Sequence, residues 1–354
     1  RKDFPEVWEL IIGNFERHSP EFYQWRIQYT EAKLKTDPKN LALYDDLAVA
    51  YSKLDFQDKA IAVILEKEKI KPGLYTTYAN LGTFYLHQGA LEKGIEYIDK
   101  ALEINPEAHF GRERYQKYLA EYVLSKKKDG QIKLPLSEER GFYIFVYKKE
   151  FPDREDYDKL MPKEALDKAV QGILGMMRFG NYDSPILLEA LGDLLMQEGT
   201  DYEGGFSARQ LACRAYLKAS KQVNDPISKQ AYRDLAQSTI FEQQDRNGSE
   251  LKLKDVEKQL QREIKMGKAY FEMIRQSELS WIKQAKDPDF EYDESFGPIL
   301  PEKEEPMESP SLEIAEIEEV EADQGNAYAI RWLIIGAIVF LVGGLALYNY
   351  IRQA

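Results

Sequence analysis

Histidine and cysteine are scarce in this 354-residue chain, which has three histidines (His18, His87, His109) and one cysteine, Cys213. One cysteine excludes an intramolecular disulfide, and no His-Glu-x-x-His or paired-cysteine spacing is present to hold zinc. The histidines read as surface or hydrogen-bonded structural residues. Cys213 falls among apolar helical neighbours and reads as packing rather than as a nucleophile. A phosphate loop is missing too, because Gly204-Gly205 comes without the lysine and flanking strand that such a loop needs. The alternation Asp287, Asp289, Glu291, Asp293, Glu294 fails as a calcium loop: Tyr292 stands where a turn glycine belongs, and Pro298 where a bidentate glutamate belongs. No catalytic, cofactor-binding or metal-ligating residue is predicted, and the chain does not read as an enzyme.

Basic surface is lacking as well. The formal net charge is −13. From Asp287 to Gln324 there are fifteen acidic residues and one lysine, so the rest of the chain is close to neutral. The run Lys126-Lys127-Lys128 is too short for a phosphate-backbone footprint, and nucleic acid is excluded as a partner. Segment 287–327, with Pro288, Pro298, Pro301, Pro306 and Pro310, reads as an acidic disordered linker. Within it, Ser311 to Asp323 has the composition of a transient acidic helix.

What is present begins with one long apolar run. Trp332 to Ile351 spans twenty uncharged residues between Arg331 and Arg352. At about 1.5 Å per residue it crosses the roughly 30 Å hydrocarbon core of a bilayer. Trp332, Tyr348 and Tyr350 stand at its ends, where amphipathic rings favour the headgroup zone. A single transmembrane helix is predicted over 328–351, with Gly336, Gly343, Gly344 and Ala346 as small surfaces for a neighbouring helix. One arginine on each side leaves the orientation open.

The remainder carries an internal period. Tyr44, Leu47, Ala48, Tyr51, Ala60, Ile64 and Pro72 recur thirty-four residues later as Tyr78, Leu81, Gly82, Tyr85, Gly94, Ile98 and Pro106. The spacing has a mechanism: small residues let two antiparallel helices approach, large apolar ones fill the space between them, and proline ends the pair. On these residues, 41–74 and 75–108 resemble tetratricopeptide repeats, with Ala101-Leu102-Glu103-Ile104-Asn105-Pro106 close to the usual end of a unit. Ser19-Pro20 opens a helix toward Pro38 that reads as half of a degenerate preceding repeat. The resemblance implies an all-α, tetratricopeptide-like α-solenoid with a long C-terminal helix. Phe15-Glu16-Arg17, Pro20 to Tyr23, Asn105 to Glu113 and Asp183-Ser184-Pro185 leading into Glu189 to Asp193 also resemble an uncharacterised group of bacterial repeat proteins. Members of that group look exported, which favours a signal removed before Arg1.

The expected organisation is a solenoid over 1–125, an irregular segment over 126–162 and a second, looser helical-repeat unit over 163–248. A long amphipathic helix over 249–286 follows, capping the solenoid or, as the alternative, making a coiled-coil contact with a partner, then the acidic linker and the membrane helix. In the second unit Ser184-Pro185 and Asp225-Pro226 start helices, the latter running toward Glu242, and Gln197 to Gly205 house an insertion. Phe142 to Tyr147 is aromatic and β-branched, which suits a strand, with a short helix as the alternative.

In this repeat type certain first-helix positions face the concave side. Here they are Ala42, Asp45, Val49, Ser52 and Lys53, then Thr76, Ala79, Thr83, Leu86 and His87. The lysine–asparagine–arginine clamp that such repeats use on a chaperone's terminal carboxylates is absent, so the groove suits a partner peptide or helix. The expectation is a membrane-anchored protein–protein interaction scaffold, an accessory or assembly subunit of a membrane complex. Its partners would be proteins, embedded subunits and the bilayer, with the folded part on the extracytoplasmic side. A tail-anchored cytosolic receptor or targeting adaptor is the alternative, and an enzyme with its site in 126–162 a third.

Overall fold

The computed structural model describes residues 5–137, 140–154, 160–197, 206–241 and 250–297, with His109 and Phe110 described by backbone alone. Helices dominate the described residues, and an isolated bridge joins Lys128 to Gln131. A short helix and a longer one begin it, α1 (Val7–Ile12) and α2 (Pro20–Thr36). The Ser19 hydroxyl accepts the Phe22 N–H, and Pro20 takes the first helical position, where no amide partner is needed.

The two expected repeats follow as helix pairs, α3 (Leu41–Lys53) with α4 (Gln57–Ile70), and α5 (Tyr75–Gln88) with α6 (Leu91–Ile104). Ala48, Ala60, Ile64, Leu81 and Ile98 are buried, as the period requires. In the second pair the helices touch through glycine. A Cβ at Gly82 would lie 2.6 Å from Ile98 Cγ1, and one at Gly94 would lie 3.0 Å from the Gly82 carbonyl. A third layer starts after the 3-10 turn Ala108–Gly111 with α7 (Arg112–Lys126), which packs on α6.

The segment expected to be irregular holds α8 (Gly141–Glu150), and this corrects the strand reading of Phe142 to Tyr147. Phe142, Tyr143, Val146 and Tyr147 are buried at helical spacing, so the aromatic run is one face of a helix. Its start is set from outside: the Asp193 carboxylate accepts the Phe142 N–H at 2.8 Å, and the Ser137 hydroxyl accepts that of Gly141 at 3.1 Å. Next come α9 (Lys163–Met176), a π-helical turn (Met177–Asn181) and α10 (Pro185–Leu195). Every residue of α10 is buried, which makes it the hub of the second unit. It packs on α8, α9 and α11 (Ala208–Gln222), and α11 pairs with α12 (Pro226–Thr239).

The long helix α13 (Leu253–Lys283) has 31 residues, about 46 Å of rise. It packs against α11, α1 and α2 in turn, so it straps the second unit to the start of the solenoid rather than capping one end. Gly267 marks the crossing with α1, where a Cβ would sit 2.3 Å from the Ile12 carbonyl oxygen. Ion pairs line its course, with Arg233 to Glu257 and Arg214 to Glu263 at one end and Arg275 to Glu21 at the other.

A last helix, α14 (Pro288–Phe296), lies where the acidic linker was expected to begin, a second correction. Pro288 does not break it, because Asp287 caps the helix and proline at the first position forfeits nothing. Tyr292 is fully buried, its ring 4.2 Å from that of His18. The transmembrane prediction over 328–351, the packing residues Gly336, Gly343, Gly344 and Ala346, and the linker beyond 297 lie outside the described residues. Among the described residues no helix is long and apolar enough to cross a membrane.

Candidate functional site

The concave face of the two repeats is narrower than the spacing alone suggests. Of the predicted groove residues, Asp45, Val49, Ser52, Thr83, Leu86 and His87 are buried, whereas Lys53, Thr76 and Ala79 are half-buried. The buried ones are held within the chain. Asp45 receives Lys67 Nζ at 2.5 Å and Asn80 Nδ2 at 3.1 Å, and Lys67 also donates to the Thr76 hydroxyl at 2.8 Å. That network joins α3, α4 and α5, so an aspartate expected to greet a partner instead ties successive repeats together. Ser52 donates to Gln57 at 2.8 Å, and Gln116 of α7 donates to Thr83 at 3.1 Å.

The inner side is met by parts of the chain far away in sequence. Lys53 Nζ donates to the Phe179 carbonyl at 2.6 Å, bringing the π-helical turn onto the repeat surface. Near α2, Arg26 pairs with Asp289 of α14 and lies 3.5 Å from Asp46. Burial, together with Asp289 and Asp45, pushes the Asp46 carboxyl up to about 7 against the pull of Arg26. Beside it the buried Glu278 of α13 accepts the Ser19 N–H at 2.9 Å and lies 2.7 Å from His18 Nδ1. The first turn of the solenoid is therefore anchored by α13 and α14 together.

The second unit has its own buried polar centre, on the acidic positions of α10. Glu189 accepts the Leu136 N–H at 2.8 Å and the Tyr232 hydroxyl at 2.7 Å, and Asp193 accepts the Tyr216 hydroxyl at 2.6 Å. Burial, with Asp193 adding its charge, pushes Glu189 up to about 8, and burial pushes Asp193 up to about 6. Each is 1 % exposed, so no substrate reaches them. They position the entry to α8. The sequence assigns neither residue a role. The signal lay in the acids at i and i+4 of an otherwise apolar helix, which must find donors when buried.

Among the described residues no group of histidine, cysteine and acidic side chains is placed to hold a metal ion. Cys213 is fully buried, and burial pushes its thiol up to about 11. The His109 side chain and the insertion at 198–205 lie outside the described residues.

With helices paired at the expected register, the comparison with known families is specific in extent: residues 75–107 match the tetratricopeptide repeat. That segment runs from the start of α5 through the end of α6. The repeat and the helical architecture around it fit a tetratricopeptide-like solenoid, a module of protein–protein interaction. No curated protein matches the chain.

Proposed function

We propose that the protein is a membrane-anchored adaptor whose solenoid holds a partner protein beside a membrane complex, as an accessory or assembly subunit. The observation that carries the interaction role is the tetratricopeptide match over 75–107, with Lys53, Thr76 and Ala79 left half-buried on the concave side. The apolar run Trp332 to Ile351 supplies the anchor, and Gly336, Gly343, Gly344 and Ala346 offer a close-packing face to another membrane helix. The resemblance to exported repeat proteins favours an extracytoplasmic solenoid.

Three experiments test this reading. A photo-crosslinking residue at Ala79 is expected to capture a partner protein, whereas the same residue at Lys59 on the outer face captures none. In intact cells, protease cleavage of the acidic segment only after an outer barrier is opened is the expected result. Protection until the cytoplasmic membrane is lysed would make the protein a tail-anchored cytosolic adaptor instead. Changing Gly343 and Gly344 to Leu should reduce co-purification with the complex in mild detergent, and unchanged recovery would remove the membrane-helix contact from the proposal.

A further inference from the structure

Positive charge collects at one place on the inner side, with Asp183 set against part of it. Lys53 and His87 stand thirty-four residues apart, at the same repeat position. The π-helical turn reaches them through the Lys53 bond to the Phe179 carbonyl. Arg17, from the connection between α1 and α2, enters the same region. Its guanidinium lies 4.6 Å from the Tyr182 ring centre and 4.0 Å from that of Phe271, and it donates to the Tyr182 hydroxyl at 3.2 Å. Behind the turn, Lys218 of α11 donates to the Tyr182 carbonyl at 3.0 Å and pairs with Asp183 at 2.6 Å.

These cations act on one another. Burial pushes Lys53 down to about 7, and Arg17 adds to the effect. Burial also holds His87 well below its ordinary range, with Lys53 adding. Lys218 is pushed down to about 8, first by burial, with Arg17 and Lys268 opposing its charge and Asp183 supporting it. No carboxylate among the described residues pairs with Lys53, which spends one of its three N–H donors on Phe179. In the same turn Asn181 Nδ2 is buried without a hydrogen-bond partner among the described residues, as is His87 Nε2. A half-buried cation lacking a counter-charge is costly, and an entering anion offsets that cost.

We infer that Arg17 and Lys53, walled by Tyr23, Tyr182 and Phe271, form a subsite for an acidic side chain of an extended peptide from the partner protein. The inference rests on the adaptor reading and adds the chemistry of what is bound. Tyr23 lies 5.9 Å from Lys53 Nζ, so the carboxylate meets its cations between aromatic surfaces, where the attraction is less screened than in open water. The remainder of the chain helps confine the interaction. The segment from Asp287 to Gln324, with fifteen acidic residues and one lysine, repels acidic ligands, and the rest of the chain is close to neutral, so acidic binding requires a local cluster of cations.

The test uses the full-length protein in detergent, with fluorescein-labelled hexaglutamate as probe and anisotropy as readout. Saturable binding is expected, falling with salt, and uncharged hexaglutamine is expected not to bind. Lys53→Met should weaken it about tenfold or more, while Lys53→Arg and the outer-face change Lys100→Met stay within about threefold. Melting curves check that each variant is folded. Equal affinity for the wild type and Lys53→Met, or comparable binding of hexaglutamine, would overturn the subsite. An amidated C-terminus on the probe should change nothing; loss of binding on amidation would overturn the side-chain assignment in favour of a terminal carboxylate. Binding seen only after Glu313, Glu316, Glu318, Glu319 and Glu321 become Gln would make the chain's own acidic segment the occupant and overturn the assignment to a partner. Absent probe binding with crosslinks from Ala79 intact sinks the subsite alone. Probe binding without any crosslink sinks the adaptor reading instead.

Discussion

The buried pair Lys67–Asp45 is the sharpest place to test how the repeats are held together. Lys67 is 1 % exposed and Asp45 6 %, and their 2.5 Å contact links the second helix of one repeat to its first helix. Lys67→Met keeps the packed stem but removes the charge. Asp45 then stays buried with Asn80 as its remaining described donor, at 3.1 Å. Breaking such a pair from one side costs about 3–5 kcal/mol, because the surviving charge is left desolvated. Adding Asp45→Asn removes that charge and should restore at least about 2 kcal/mol, since the amide oxygen still accepts from Asn80. Burial already raises the Asp45 carboxyl, and loss of Lys67 takes away its main opposing influence. A folded-state pKa above the unfolded value gives stability that is present at low pH and lost as pH rises through the folded value. The Lys67→Met defect should therefore shrink on acidification. Urea unfolding followed by circular dichroism at acidic and neutral pH measures both effects. A loss under about 1 kcal/mol, or an equal loss at both pH values, would refute the account of a buried charge that needs its partner.

Three further outcomes follow from the same packing. Gly267→Ala places a Cβ 2.3 Å from the Ile12 carbonyl oxygen and 2.9 Å from the Gly13 carbonyl carbon, backbone atoms that cannot swing away. It should cost about 1–3 kcal/mol and speed amide exchange in α1 before α12, and unchanged exchange in α1 would deny α13 its strapping role. Cys213 should resist a thiol reagent in the native protein and react at full rate in denaturant, and rapid native labelling would contradict its burial. Glu189 and Asp193 are both raised, so the folded state holds more protons than the unfolded one, and their contribution is lost as pH rises through about 6 and about 8. Asp193→Asn keeps an oxygen for the Phe142 N–H and offers its amide to the Tyr216 oxygen. It should flatten the fall in stability between about 4, the ordinary aspartate value, and about 6, and an undiminished slope there would shift the cause elsewhere.

The helix pairs of the repeats were legible because their information is local. Small residues at Ala48, Ala60, Gly82 and Gly94 and large ones at Ile64 and Ile98 repeat at one interval, and each unit meets only its neighbours. Helix starts at Ser19-Pro20, Ser184-Pro185 and Asp225-Pro226 were legible for the same reason, since a cap and a first-position proline act within one turn. The strand expected at Phe142 to Tyr147 failed where locality failed. Aromatic composition favoured a strand, but the donors at the head of α8 are taken by Asp193, fifty-one residues away. Pro288 does not end a helix there because Asp287 makes it a first-position residue, where proline forfeits no hydrogen bond, rather than an interior one.

The same distinction explains why the groove positions could be named and the anion subsite could not. Repeat register places Lys53 and Thr76 on the concave side without reference to any other part of the chain. What lies beside them is decided elsewhere: α13 crosses α1 at Gly267 and brings Phe271 against Arg17. It is decided too by a π-helical turn whose approach no periodicity announces. An open solenoid would leave Lys53 in water, with an ordinary charge and no preference worth testing. Strapped as it is, the fold half-buries that lysine beside a second cation and between rings, and the loss of hydration is what makes an acidic partner specific. Loosening the strap should therefore weaken acidic-peptide binding without touching a contact residue. Gly267→Ala, read by hexaglutamate anisotropy under conditions where the variant remains folded, is expected to lower affinity several-fold while leaving crosslinking at Ala79 in place. If affinity holds while α1 exchange rises, the strap and the subsite are independent, and desolvation by α13 is not the source of the preference.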